Sequence, residues 1–79
     1  MSREEIFERL TGVFQDVFDD DSIELTDSTG PDDIDGWDSL EHISLIAAIE
    51  NEFGIRFAIK TALKLKTAGE IASAIFDLY

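Results

Sequence analysis

Apolar residues in the first part of the chain recur at helical spacing. Ile6, Leu10, Val13, Phe14 and Val17 fall on one stripe, which predicts an amphipathic helix over Ser2 to Phe18. Ser2 fits the N-cap, and Glu4 and Glu5 in the first turn face the helix dipole favourably. Gly12 interrupts this helix at a cost of about 1 kcal/mol relative to alanine, a cost that close packing there could offset. Asp19 to Trp37 then loses all periodicity. Loops of that length need anchors, and Ile23, Leu25 and Ile34, each isolated among polar neighbours, are the candidates. Gly30-Pro31 and Asp35-Gly36 mark turns inside it.

Periodicity returns at Ser39. Leu40, Ile43, Ile46, Ile49 and Phe53 supply a broad apolar side, with Ala47 beside it, and predict a second helix from Ser39 to Phe53. Asp38 fits its N-cap, and Glu41 three residues later completes a capping-box pattern. Gly54 stands where a C′ glycine ends a helix. Ile55 to Ile59 alternates like a strand, but no second strand exists to pair with it, so an extended connector with Ile55, Phe57 and Ile59 buried is expected. A short helix near Lys60 to Leu65 follows. Thr67-Ala68-Gly69-Glu70 is a capping box for a last helix whose core face is Ile71, Ile75 and Leu78, with Ala72 and Ala74 allowing close approach. The fold class is all-α: a small antiparallel bundle of three main helices plus one short helix, with a long loop after the first helix.

Composition narrows the function classes. The 79 residues make a single domain over 1–79 with one small core and no room for a deep catalytic cleft. Apolar residues at 44% are ample for folding, so the acidity does not signal disorder. The absence of cysteine excludes disulfides and thiolate metal sites; any thiol chemistry must come from an added group. Nothing at the start resembles a secretion signal and no apolar run approaches a membrane span, so a soluble cytoplasmic protein is expected, with no membrane insertion. Six basic and eighteen acidic residues give a formal charge of −12. Such a chain is repelled by nucleic acid and attracted to partners presenting Arg or Lys. The acids concentrate between Asp16 and Glu41.

Candidate chemistry centres on Trp37-Asp38-Ser39-Leu40. A serine just inside a helix start holds its hydroxyl in solvent beside free backbone N–H groups and the positive end of the dipole, a suitable place for a phosphate diester. By spacing alone, such a serine is more commonly an ordinary helix-start residue. Asp38, Ser39 and His42 on one helix end cannot provide the geometry of a hydrolase triad, so His42 is expected to be solvated or to face a partner. The Asp19-Asp20-Asp21 run lacks the position-five ligand and position-six glycine of a calcium loop, and no metal site is expected.

The stretch DSLEHISLIAAIENEF, from Asp38 through Phe53, resembles the modified helix of acyl and peptidyl carrier proteins. In that family the serine after the aspartate carries 4′-phosphopantetheine. The likeness extends over nearly the whole chain, from the first helix and acidic loop to the EFGI segment and the capped last helix. It implies a carrier rather than an enzyme, with no catalytic residues. It implies that Ser39 bears an arm transferred from coenzyme A by a phosphopantetheinyl transferase, and that Asp38 both caps the helix and meets that transferase. The arm's thiol would hold acyl intermediates as thioesters for loading ligases and downstream synthases or transferases with basic patches. Leu40, Glu41, Ala47 and Glu50 would form the docking face of a monomer. An aminoacyl or peptidyl carrier of a dedicated biosynthetic cluster, or an unmodified acidic interaction module, are the alternatives. Three departures from the fatty-acid carriers favour a specialised role: Ser44 where an acid is common, His42 on the modified helix, and a third helix made basic by Lys60, Lys64 and Lys66. The Gly36-Trp37 lead-in also resembles stand-alone carriers of that sort.

Overall fold

The computed structural model describes Met1 to Tyr79 as four α-helices with no strand. Helix α1 runs Arg3–Phe18, α2 Ser39–Phe53, α3 Ile59–Lys64 and α4 Ala68–Leu78, with one 3₁₀ turn at Pro31–Asp33 inside the long loop. Helix α1 starts as its sequence requires. The Ser2 hydroxyl accepts from the Glu5 N–H, and the Glu5 carboxylate accepts from the Ser2 N–H, closing a capping box. Those Ser2 donors, the backbone N–H first and the hydroxyl second, hold the Glu5 carboxyl below its ordinary value. The helix ends at Asp19 in the left-handed region (φ 49°), a conformation Asp tolerates better than most residues.

Helices α1, α2 and α4 enclose one core. Ile6, Leu10, Val13 and Phe14 of α1 meet Leu45, Ile46, Ile49 and Phe53 of α2 and Ile71, Ala72 and Ile75 of α4. The long loop is nailed to this core by Ile23 and Ile34, both buried, with Leu25 half-buried against it. Backbone bonds tie the other side of the loop to the start of α4. The Ala68 N–H donates to the Thr29 carbonyl at 2.8 Å and the Gly69 N–H to that of Asp27 at 3.1 Å. Both arginines of α1 also bridge elements. Arg3 donates to Asp27 (2.6 Å) and Ser73 (3.1 Å), and Arg9 donates to the Glu52 carboxylate (2.9 Å) while lying over the Phe53 ring.

Several expectations change. Ile43 is 61% exposed rather than core, and Leu45 takes the buried position instead; Leu40, claimed by both the apolar pattern and the expected docking face, is 75% exposed. Helix α2 is apolar on two sides, and the side continuous with Leu45, Ile49 and Phe53 is the one α1 covers. Ile59 is 78% exposed and Leu78 lies mostly in solvent, because the bundle stops short of both. Ile55 and Phe57 are half-buried as the connector reaches α3. Gly12 faces open space, so close packing does not explain it. The Asp38 carboxylate caps the Glu41 N–H at 2.8 Å, but the reciprocal half of the expected box is absent. At α4, Thr67 caps Glu70 while the Glu70 carboxylate reaches back to the Lys66 N–H and the Thr67 hydroxyl.

A Cβ on Gly69 would lie 2.5 Å from the Asp27 carbonyl oxygen, whereas one on Gly12 meets nothing within 4 Å. Gly69→Ala should therefore destabilise by about 1–3 kcal/mol and Gly12→Ala should stabilise by up to about 1 kcal/mol, as read from denaturant midpoints. The lowered Glu5 carboxyl contributes stability that is fully present above its unfolded-state pKa and is lost as pH falls through its folded value. The stability gap between the native chain and Glu5→Gln should thus be open at neutral pH and narrow as pH falls below the ordinary glutamate value of 4.5.

Candidate attachment site at the start of α2

Trp37 sets the position of this site. Its indole is buried against Phe14 edge-on (centroids 5.2 Å, 82° between planes) and Phe18 (6.2 Å), both on α1. One residue later the chain turns outward. Asp38, Ser39 and Leu40 are all exposed, so the first turn of α2 stands in solvent directly beside its buried anchor. Gly36 at φ 89° supplies the turn that brings the indole inward, a conformation that strains other residues.

Ser39 is the first residue of α2. The Asp38 carboxylate satisfies the Glu41 N–H, leaving the Ser39 and Leu40 N–H groups without a partner in the chain. An exposed hydroxyl, two open N–H donors and the positive end of a fifteen-residue helix coincide here. The residues present therefore fit a phosphate ester. What they lack is a base.

His42 is the nearest candidate, and it is neither solvated nor partner-facing as expected. Its ring stacks on Trp37 (6.0 Å, 13°), whose Nε1–H donates to His42 Nδ1 at 3.0 Å. An indole N–H can only donate, so Nδ1 must be bare and Nε2 must carry the hydrogen. That hydrogen is donated to the Ala62 carbonyl at 2.9 Å. Both nitrogens are thus occupied, Nδ1 as acceptor and Nε2 as donor, and no general base is left for Ser39.

Glu50 plays a matching part farther along α2. One carboxylate oxygen accepts from the Phe57 N–H at 2.8 Å, so Glu50 spends part of its acceptor capacity inside the chain. Glu50 and His42 together tie α2 to the connector before α3 and to the Ala62 carbonyl within α3. Helix α3 has only six residues and no side-chain N-cap, too little to be stable alone. Between α2 and α3 lies a cleft of about 390 Å³ lined mainly by Ile43, Ile46, Ala47, Phe57, Ile59 and Leu63. Of the sequence-derived site residues, Asp38, Ser39 and Leu40 lie together on the exposed first turn and Glu41 is half-buried beside them. Ala47 and Glu50 sit farther down, at the cleft. Sequence reasoning missed the tie between Trp37, His42 and Ala62. The only signal for it was an indole and an imidazole five residues apart, across a helix start.

His42→Phe keeps a ring against Trp37 but removes both hydrogen bonds. It should destabilise by about 1–3 kcal/mol and leave the Trp37 indole N–H exchanging faster with solvent, as followed by NMR. In the native chain the same spectra should show Nε2 protonated and Nδ1 bare.

Comparison with known proteins agrees with this geometry. The family described as "Phosphopantetheine attachment site" matches residues 8–75. An acyl carrier protein of Lactobacillus acidophilus is 36% identical over 76 residues, covering 95% of this chain and 94% of the relative. One from Thermotoga maritima is 32% identical over 74 residues, covering 94% and 91%. The solution NMR structure of holo acyl carrier protein from Geobacter metallireducens superposes with a TM-score of 0.83 at 45% identity, covering 90% of this chain and 82% of that one. The chain belongs to the acyl carrier protein family and bears its phosphopantetheine attachment domain.

Proposed function

We propose that Ser39 is the attachment point of 4′-phosphopantetheine and that residues 1–79 act as one carrier domain. The observation that carries this reading is the exposed Ser39 hydroxyl at the open N-terminus of α2, held there by the buried Trp37. A phosphopantetheinyl transferase supplies the base that the chain lacks. The Ser39 hydroxyl attacks a phosphorus of the coenzyme A diphosphate, its proton passes to the transferase, and the nucleotide portion leaves. The bound group then contributes a thiol, which holds cargo as a thioester. The chain's own part is to place the arm, face the transferase with Asp38, and offer a surface for partners.

That surface runs from Leu40 and Glu41 to Ala47, with the remaining oxygen of Glu50 at its far end. Leu40 supports this reading most, because so large an exposed apolar side chain beside the attachment point favours contact with another protein. The acidic contacts are exposed or half-buried, so each contributes little and docking is weak and salt-sensitive. The mainly apolar lining of the α2–α3 cleft favours acyl over aminoacyl cargo. Partners are loading ligases and downstream synthases or transferases with basic patches, met by a monomer in the cytoplasm; no helix is long and apolar enough to cross a membrane. Lys60 and Lys64, exposed on α3, and Lys66, exposed just beyond it, favour partners of a specialised pathway over those of common fatty-acid synthesis.

Incubation with coenzyme A and a broad-specificity transferase should add the mass of one phosphopantetheine, and Ser39→Ala should abolish the gain. An unchanged mass would point instead to an unmodified interaction module. The pathway reading has its own check: fatty-acid ketosynthases and transacylases should transfer poorly to or from the loaded chain, and efficient transfer would overturn it.

A further inference from the structure

The six basic residues of this chain divide into two groups. Arg3 and Arg9 are committed to intrachain ion pairs with Asp27 and Glu52. Arg56, Lys60, Lys64 and Lys66 are exposed, have no carboxylate within ion-pair distance, and lie in a stretch from Ile55 to Gly69 that contains no acid. Among these four, only Lys66 shares a cavity with Ser39. That cavity, of about 250 Å³, is also lined by Trp37, Asp38 and His42. Both ring nitrogens of His42 are engaged within the chain, so Lys66 and Asp38 supply the free charges on its walls.

The backbone at Lys66 is fixed although its side chain is free. Its N–H donates to the Glu70 carboxylate at 3.1 Å. Its carbonyl oxygen packs so closely on Gly30 that a Cβ there would come within 3.3 Å of it. Just beyond, the bonds from Ala68 and Gly69 to the long loop hold the segment in place. A lysine with no carboxylate partner is therefore mounted on a fixed backbone at the wall of the Ser39 cavity, its long side chain free to reach into it.

Attaching a phosphodiester at Ser39 adds a permanent negative charge beside Asp38, in a chain already at −12. The open N–H groups of Ser39 and Leu40 face that charge from one side only. We propose that Lys66 is a binding residue for the phosphodiester of the prosthetic arm, offsetting its repulsion by Asp38 and orienting the arm away from the acidic loop. This assignment rests on Ser39 being the attachment point.

The test uses the full chain in apo and arm-bearing forms, with attachment verified by intact mass. On attachment, the Lys66 side-chain resonances should shift while those of Lys64 stay in place. The Lys66 shift should fade as salt rises from about 0.1 M to about 1 M, which shortens the screening length from about 10 Å to about 3 Å. Attachment should also change the unfolding temperature less favourably in Lys66→Gln than in the native chain, by a few degrees, with Lys64→Gln behaving as native. Lys66 resonances that ignore the arm overturn the assignment, whatever the unfolding temperatures do. A chain that takes no arm on Ser39 overturns this inference together with the reading beneath it; a modified chain with a silent Lys66 overturns this inference alone.

Discussion

Burial of the Trp37 indole between Phe14, Phe18 and His42 fixes where α2 begins, and the exposed features of the carrier surface follow from that placement. A large aromatic side chain committed to the core gains several contacts at once, and its polar edge must still find a partner. Here the partner is a residue of α2 itself. The indole therefore anchors the helix start to α1 through packing and to α3 through the imidazole. Asp38, Ser39 and Leu40, one to three residues on, have no freedom to follow it inward. A serine held exposed but fixed at a helix start in a chain this small depends on such a neighbour, because the first turn of an uncapped and unanchored helix frays.

Much of this architecture was legible in the sequence because it is written in local rules. The bounds of α1, α2 and α4 follow from N-cap residues and apolar spacing, and the helix-ending glycine at Gly54 adopts the left-handed conformation its position demands (φ 66°). The role of Ile23 and Ile34 as loop anchors was also readable, since an isolated apolar residue in an acidic loop has few other places to go. What spacing could not decide was which of two apolar sides of α2 meets the core. Leu40 and Ile43 obey the helical period as well as Leu45 and Ile49 do; only the position of α1, a tertiary fact, separates them. Ile59 and Leu78 are misplaced for the same reason, because an alternating or periodic pattern does not state where a small bundle ends.

The candidate site divides along the same line. Asp38 and Ser39 are identifiable from cap chemistry and family likeness, both properties of contiguous residues. The engagement of His42 and Glu50 with backbone groups of the α3 segment is not, since neither carries a local signature of its distant partner. Those two side chains nevertheless decide what the site can do. A histidine with both nitrogens occupied removes any base from Ser39, which makes the chain a bearer of chemistry performed by others. A glutamate that accepts an N–H from within is only partly available to a partner outside.

The double tie on α3 has a dynamic consequence. A six-residue helix without a side-chain cap inherits its order from α2, through one bond to the connector that leads into it and one to a carbonyl within it. Opening of α3 should accordingly be the lowest rung of local unfolding in this bundle, well below loss of the α1–α2–α4 core. Because α3 forms one wall of the apolar cleft, that soft rung is also a volume reserve. The space between α2 and α3 can widen without disturbing the α1–α2–α4 core that keeps the start of α2 in place, so a change of volume there costs the stability of the whole little.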